Sequence, residues 1–94
     1  MPNGSHYQGE FHSLQPHGKG QMRYENGNDY RGQFYMGVKQ GYGRFFDKRD
    51  NSLYEGEFKN DLFNGKGRYT FSDGSFFTGL FINNVLDSKL DDAS

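Results

Sequence analysis

Three residue sets in this 94-residue chain have the right types to do chemistry: the histidines His6, His12 and His17, the carboxylates Glu10, Glu55 and Glu57, and three Gly-x-Gly steps. A metal centre needs three or four ligands in fixed geometry, whereas these histidines fall in or beside a Pro-containing loop, which reads as surface histidines. Acid–base catalysis needs a carboxylate whose proton affinity is shifted by a cavity. The glutamates alternate with lysine and arginine in open extended segments, which reads as ion pairing. None of Gly18-Lys19-Gly20, Gly41-Tyr42-Gly43 or Gly65-Lys66-Gly67 continues to a third glycine ahead of a helix or carries the Lys-Ser/Thr of a phosphate loop. There is no cysteine, and no Ser/His/Asp set stands out. The expectation is a chain with no catalytic, metal or cofactor site.

The glycines belong instead to a repeating element. "YQGEF" begins at Tyr7, "YRGQF" at Tyr30, "YEGEF" at Tyr54 and "FTGLF" at Phe77, at intervals of 23, 24 and 23 residues. Each Gly-x-Gly lies nine residues after the glycine of the preceding motif, and a turn (Asn26-Gly27, Asp50-Asn51, Asp73-Gly74) closes each unit. Thirteen of the fourteen glycines fall in this frame, Gly4 being outside it. Such a period marks a stacked array whose units stabilise one another.

Strand periodicity puts Tyr54, Gly56 and Phe58 on one face and Glu55 and Glu57 on the other. Hairpins are expected at 7–11/18–24, 30–35/41–46 and 54–59/66–71, the third joined by the six-residue loop KNDLFN, with a lone strand at 77–82. With Phe58 opposite Gly65, Glu57 would face Lys66 and Glu55 would face Arg68. With Tyr24 opposite Tyr30, Met22 would sit beside Gly32, and Gly20 between Gly9 and Phe34. Rings would then lie over strand glycines, replacing their missing side chains. Gly37, Leu14, Asp61 and Asn84 share a turn position suited to left-handed backbone, with Leu14 the poorest fit.

This combination of aromatic-x-Gly-x-Phe, Gly-x-Gly and a turn closely resembles the MORN (membrane occupation and recognition nexus) repeat, from Tyr7 to about Asn84. The second unit departs by one extra residue before Leu53, and the fourth stops without its Gly-x-Gly. The resemblance implies an all-β fold, a single-layer, elongated, curved antiparallel sheet of successive hairpins, and no chemistry. The organisation expected is an N-terminal extension (1–6), an array (7–84, units 7–29, 30–53, 54–76 and partial 77–84) and a flexible acidic tail (85–94).

Composition bounds the partners. Only 32% of residues are hydrophobic, aromatics make up 18% of the chain, and the net charge is −1. That removes the broad pull toward nucleic acid or anionic membrane. No apolar run approaches a spanning helix and no secretory h-region is present, which together with the absence of cysteine suggests a cytoplasmic protein. Rings expected on the polar face, Tyr35, Tyr42 and Phe46 with Phe45 adjoining, and Leu80 and Ile82 in the last strand, mark candidate partner contacts. The aromatic trough of Tyr7, Phe11, Tyr30, Phe34, Tyr54 and Phe58 is a second candidate, and the unpaired edge at Phe77–Ile82 a third. The expected function is a non-enzymatic interaction or scaffold protein binding protein partners within a larger complex. The resemblance adds a cytoskeletal or ciliary (axonemal, radial-spoke-like) setting. The alternatives are a phospholipid-binding module, for which the basic residues are sparse and interleaved with acids, or an accessory targeting module for an enzyme on another chain.

Overall fold

The computed structural model describes residues 4–90. Eight strands form one antiparallel sheet in sequence order: β1 (His6–His12), β2 (Gln15–Arg23), β3 (Asp29–Tyr35), β4 (Val38–Asp47), β5 (Ser52–Lys59), β6 (Leu62–Thr70), β7 (Phe76–Ile82) and β8 (Val85–Lys89). No α-helix occurs among the described residues. The sheet is elongated, 47 × 22 × 17 Å. With one layer and no second sheet to bury against, the core must form from side chains lying on their own backbone.

The repeated residues show how. The rings of Tyr7, Tyr30 and Tyr54 lie over the second glycine of the Gly-x-Gly on the neighbouring strand, so a Cβ on Gly20, Gly43 or Gly67 would intrude into the ring. Each phenol then donates to the carbonyl three residues on: Tyr7 to Glu10 (2.6 Å), Tyr30 to Gln33 (2.7 Å) and Tyr54 to Glu57 (2.9 Å). Those acceptors sit where the pairing register shifts, between Gly9 and Phe11, Gly32 and Phe34, and Gly56 and Phe58. One residue on the first strand there opposes three on the second. The first glycine of the Gly-x-Gly absorbs this irregularity at φ 92° (Gly18), 96° (Gly41) and 111° (Gly65), backbone that L side chains rarely adopt. The side chain of the bulge residue completes the unit, accepting the Lys19 N–H at Glu10 (2.6 Å), the Tyr42 N–H at Gln33 (2.8 Å) and the Lys66 N–H at Glu57 (3.3 Å).

The bulge corrects the expected register. Gly56 does face Gly67, and Glu55 faces Arg68, but Phe58 lies opposite Phe63 rather than Gly65. Between units, Met22 pairs with Tyr30, so Gly20 lies between Gly9 and Gly32. Tyr24 instead begins the turn, its N–H donating to the Asn28 carbonyl at 2.9 Å. The bulge also shortens the hairpin connections to two residues. Ser13-Leu14, Met36-Gly37, Asn60-Asp61 and Asn83-Asn84 each have positive φ at both positions, from 48° to 89°. This is the type I′ conformation that matches strand twist. Leu14 adopts it at φ 66° despite its side chain, which is almost wholly exposed.

The turns also tie hairpin to hairpin. Gly37, Asp61 and Asn84 donate their N–H groups to the carbonyls of Pro16 (2.8 Å), Lys39 (3.0 Å) and Phe63 (2.9 Å) in the preceding hairpin. Asp61 and Asn84 return a side-chain oxygen to the N–H of Lys39 (2.7 Å) and Phe63 (2.8 Å). At the first junction the acceptor side chain is absent at Gly37, and so is the donor, because Pro16 has no N–H.

The C-terminal expectation changes most. Residues 85–89 form β8, paired with β7, instead of opening a flexible tail, so β7 is not the sheet edge. Leu86 faces Phe81 and comes close over Gly79, doing with an aliphatic side chain what the tyrosine rings do elsewhere. The unpaired outer edges belong to β1 and β8. Residues 91–94 of the expected tail, and 1–3 of the expected extension, lie outside the described residues.

Two outcomes follow from this packing. Gly67→Ala should destabilise the sheet by about 1–3 kcal/mol because Tyr54 has no room to retreat. Gly74→Ala, with nothing within 4 Å of its Cβ, should cost only the roughly 1 kcal/mol of left-handed backbone. Thermal melts of the two variants distinguish ring cover from backbone strain. The tyrosines themselves supply a pH test. Burial pushes the Tyr54 phenol up to about 12 and raises Tyr30 further still. A raised pKa leaves stability intact below the unfolded value of about 10 and erodes it as pH climbs through the folded value. The melting temperature should therefore fall between about pH 10 and about pH 12, and less steeply in Tyr54→Phe.

Candidate partner-docking surfaces

The two faces of the sheet differ in chemistry because glycines and rings alternate with polar residues. On the ring face, Tyr30, Phe34, Tyr54 and Phe58 are buried together with Met22 and Phe81. Edge-to-face contacts link Tyr30 with Phe34 and with Phe58 (both 5.0 Å between centroids), and Tyr54 with Phe58 and Phe81 (5.2 and 5.1 Å). The expected trough is therefore filled by its own rings, four of which form the core. Tyr7 is half-buried at the N-terminal end, and Phe11 is exposed beside it.

What remains open on this face is a groove of about 400 Å³ across the second and third units. Phe45, Phe63 and Tyr69 line it, with Lys39, Asp61, Asp47, Arg49 and Asp50 at its polar margins. These rings are only partly buried and rest on the core. Phe63 stacks on Tyr54 at 3.9 Å, and the Tyr69 phenol donates to the hydroxyl of buried Ser52 (3.0 Å). Asp47 and Arg49 form an ion pair at 2.9 Å, and the guanidinium hydrogen bond holds the Asp47 carboxyl below the usual range.

Lys39 was not singled out from the sequence. It occupies the position held by Pro16 in the first unit and Phe63 in the third. Its ammonium lies 5.5–5.7 Å from the ring centroids of Tyr24, Tyr30 and Phe45, donates to the Tyr24 hydroxyl (3.2 Å) and pairs with Asp61 at 3.4 Å. Its side chain is only 13% exposed. A cation thus takes the place over Tyr30 that a stacked ring takes over Tyr54. The one legible signal was a lysine at a repeat position that Pro16 and Phe63 hold in the other units.

The expected partner-contact residues do not form one patch. Phe45 lies on the ring face opposite Tyr30 and Tyr54, while Phe46 lies half-buried on the other face beside Leu53. Tyr35, Tyr42, Leu80 and Ile82 are exposed, but Tyr42 is on β4 and Leu80 on β7, with Glu57 and Lys66 between them. Strand spacing puts the two about 14 Å apart. Tyr42 donates to Glu57 (3.1 Å), which raises its pKa. Tyr35 lies beside His17 near a turn, 5.1 Å between centroids.

The other sequence candidates resolve structurally. Glu55 pairs with Arg44 (3.2 Å) on β4 rather than Arg68, and Glu10 and Glu57 serve the bulges. His17 accepts the Met36 N–H at 3.1 Å. Among the described residues, no group of three or more His, Cys, Asp or Glu side chains is arranged to hold a metal ion. No helix there is long and apolar enough to cross a membrane.

An open single-layer sheet of hairpins with a periodic ring face defines a repeat-type binding module. The MORN repeat family model matches residues 7–29, 30–49 and 54–76, more than half of the chain, and the chain belongs to that family. The chain is also similar, at 54% identity over 33 residues, to an inactive protein tyrosine kinase, pTKL, of Plasmodium berghei (strain Anka). That stretch covers 35% of this chain and 2% of the kinase-named protein, so the likeness is confined to a short repeat-bearing segment.

Replacing Lys39 tests its substitution for a ring. Lys39→Phe, restoring the residue type of the third unit, should melt within a few degrees of the parent, because stacking on Tyr30 offsets the lost ion pair. Lys39→Ala should lower stability by about 1 kcal/mol by removing both the stem packing and the cation–π contacts.

Proposed function

We propose that this chain is a non-enzymatic docking module that holds a segment of a protein partner in the ring-face groove of its second and third units. The observation that carries this reading is the groove: Phe45, Phe63 and Tyr69 remain accessible above a core that is already closed beneath them. Rings with a polar rim are the usual make-up of a binding hot spot. Folding does not require a further layer over them, so a partner can cover them without the sheet rearranging.

On this reading the protein acts within a larger complex, and the setting proposed is cytoplasmic, such as a cytoskeletal or ciliary, radial-spoke-like assembly. A second reading, an accessory module for an enzyme domain, draws on the similarity to a segment of a much longer protein named as an inactive kinase. Phospholipid binding is less favoured because the chain's net charge is −1 and no polybasic run is present.

The groove can be blocked from its rim, at the loss of the Asp50 bond to the Ser52 N–H (3.1 Å), with melting curves showing that the sheet still folds. Asp50→Trp places a ring at its exposed rim, while Ile82→Ser removes an exposed apolar residue from the opposite face. In affinity purification from the native source, Asp50→Trp should reduce recovery of the partner at least about tenfold, and Ile82→Ser should leave it unchanged. Loss with Ile82→Ser alone would move the site to the opposite face. Loss with neither, despite unchanged melting curves, would overturn the docking role of both surfaces. Fluorescence imaging of the tagged chain tests the cytoskeletal or ciliary setting.

A further inference from the structure

The face opposite the rings holds an electrostatic imbalance that the fold does not use. Arg31 on β3 lies directly opposite Arg44 on β4. Like charges in that relation are destabilising. The carboxylates that could relieve it are engaged elsewhere. Glu10 and Glu57 accept backbone N–H groups at the bulges, and Glu57 also takes the Tyr42 hydroxyl. Asp29 accepts from the Gln21 amide (3.2 and 3.3 Å), and Glu55 pairs with Arg44. Among the described residues Arg31 and Lys19 have no ion-pair partner.

These two cations line a shallow groove of about 600 Å³ running over β1 to β4, with Gln8, Gln21, Gln33 and Tyr42 as its other side-chain walls. No carboxylate lines it. Its floor is open because the strands there carry Gly9, Gly20 and Gly32. The glycines that admit rings on one face leave bare backbone beneath the other.

We infer that this groove is a second docking site, one that binds an extended peptide carrying acidic side chains. Lys19 and Arg31 match the carboxylates, and the guanidinium can take one in bidentate fashion. The amides favour a peptide, whose backbone both donates and accepts, over a bare phosphate group. Gln21 spends its N–H on Asp29, leaving its carbonyl oxygen without a donor among the described residues. A peptide N–H supplies that donor; a bare ionised phosphate, which only accepts, does not.

The test uses fluorescein-labelled Glu-Ser-Glu-Ser-Glu and its Gln-Ser-Gln-Ser-Gln counterpart in fluorescence anisotropy. The acidic peptide should bind at least about tenfold more tightly, with affinity falling as salt rises. Arg31→Gln should weaken it about tenfold, and Lys19→Gln in the same direction. Arg68→Gln, a cation of the same face outside the groove, should change it less than about threefold. Melting curves establish that each variant is folded, and Lys19→Gln carries the test if Arg31→Gln is not. Equal binding of the two peptides, or no binding of either, overturns the inference. Equal sensitivity to Arg68 and Arg31 also does so, showing diffuse attraction. Arg31-dependent sedimentation with phosphatidylserine vesicles, in the absence of peptide binding, replaces the peptide with a membrane surface. The ring-face variant Asp50→Trp should leave peptide affinity unchanged, which separates this site from the one proposed above.

Discussion

The structure depends on one contact made three times: a tyrosine ring lying on the glycine of the next strand, with its hydroxyl bonded to a bulge carbonyl. A single-layer sheet has no opposing layer, so apolar area must be removed from water by side chains folded onto the sheet itself. A ring can do this only where the neighbouring strand has no Cβ. Tyr30 over Gly43 and Tyr54 over Gly67 meet that requirement. The hydroxyl fixes the ring's direction, since the buried phenol has a single protein partner in each case, Gln33 or Glu57. A neutral hydrogen bond of this kind contributes about 1 kcal/mol, but leaving the phenol unpaired would cost more.

The bulge makes this contact possible and sets the rest of the geometry. Three residues opposing one shift the second strand, bring Phe63 under Phe58 and leave two-residue turns at the hairpin tips. Those turns then reach the previous hairpin and bond its backbone. The hairpins are consequently linked by main-chain pairing along their strands and again at their tips, which suits an array with few aliphatic residues. The fourth unit shows the limit of the device. Phe77 has no hydroxyl and Leu80 no acceptor, and the chain closes with Leu86 packed against Phe81 and over Gly79.

The same economy separates the two faces chemically. Glycine beneath each ring means that the opposite surface has gaps in its side-chain cover, and glutamates drawn to the bulges leave that surface richer in unpaired cations. Meanwhile the ring face is closed along its centre and opens into a groove where the second and third units flank Phe45 and Phe63. Lys39 marks a local exception, an ammonium held among rings and one carboxylate in the position of a stacked phenylalanine.

The periodicity of tyrosine, glycine and phenylalanine by itself determined the all-β array, the strand faces, the pairing of Gly56 with Gly67, and the left-handed position shared by Gly37, Asp61 and Asn84. These properties are local or repeat with the period, so residue type and spacing suffice. Only the tertiary structure decided the register beyond the bulge, because a bulge is recognised by the hydrogen bonds that satisfy it and Glu57 reads in sequence as one more strand residue. It also decided that Val85–Lys89 pair as a strand, since that segment lacks the repeat's markers and is held by what Phe81 and Gly79 offer it. Finally, it brought Lys39 to Asp61 and Arg31 to Arg44. Those juxtapositions join residues of different strands, and the alternation within any one strand contains no information about its neighbour's register.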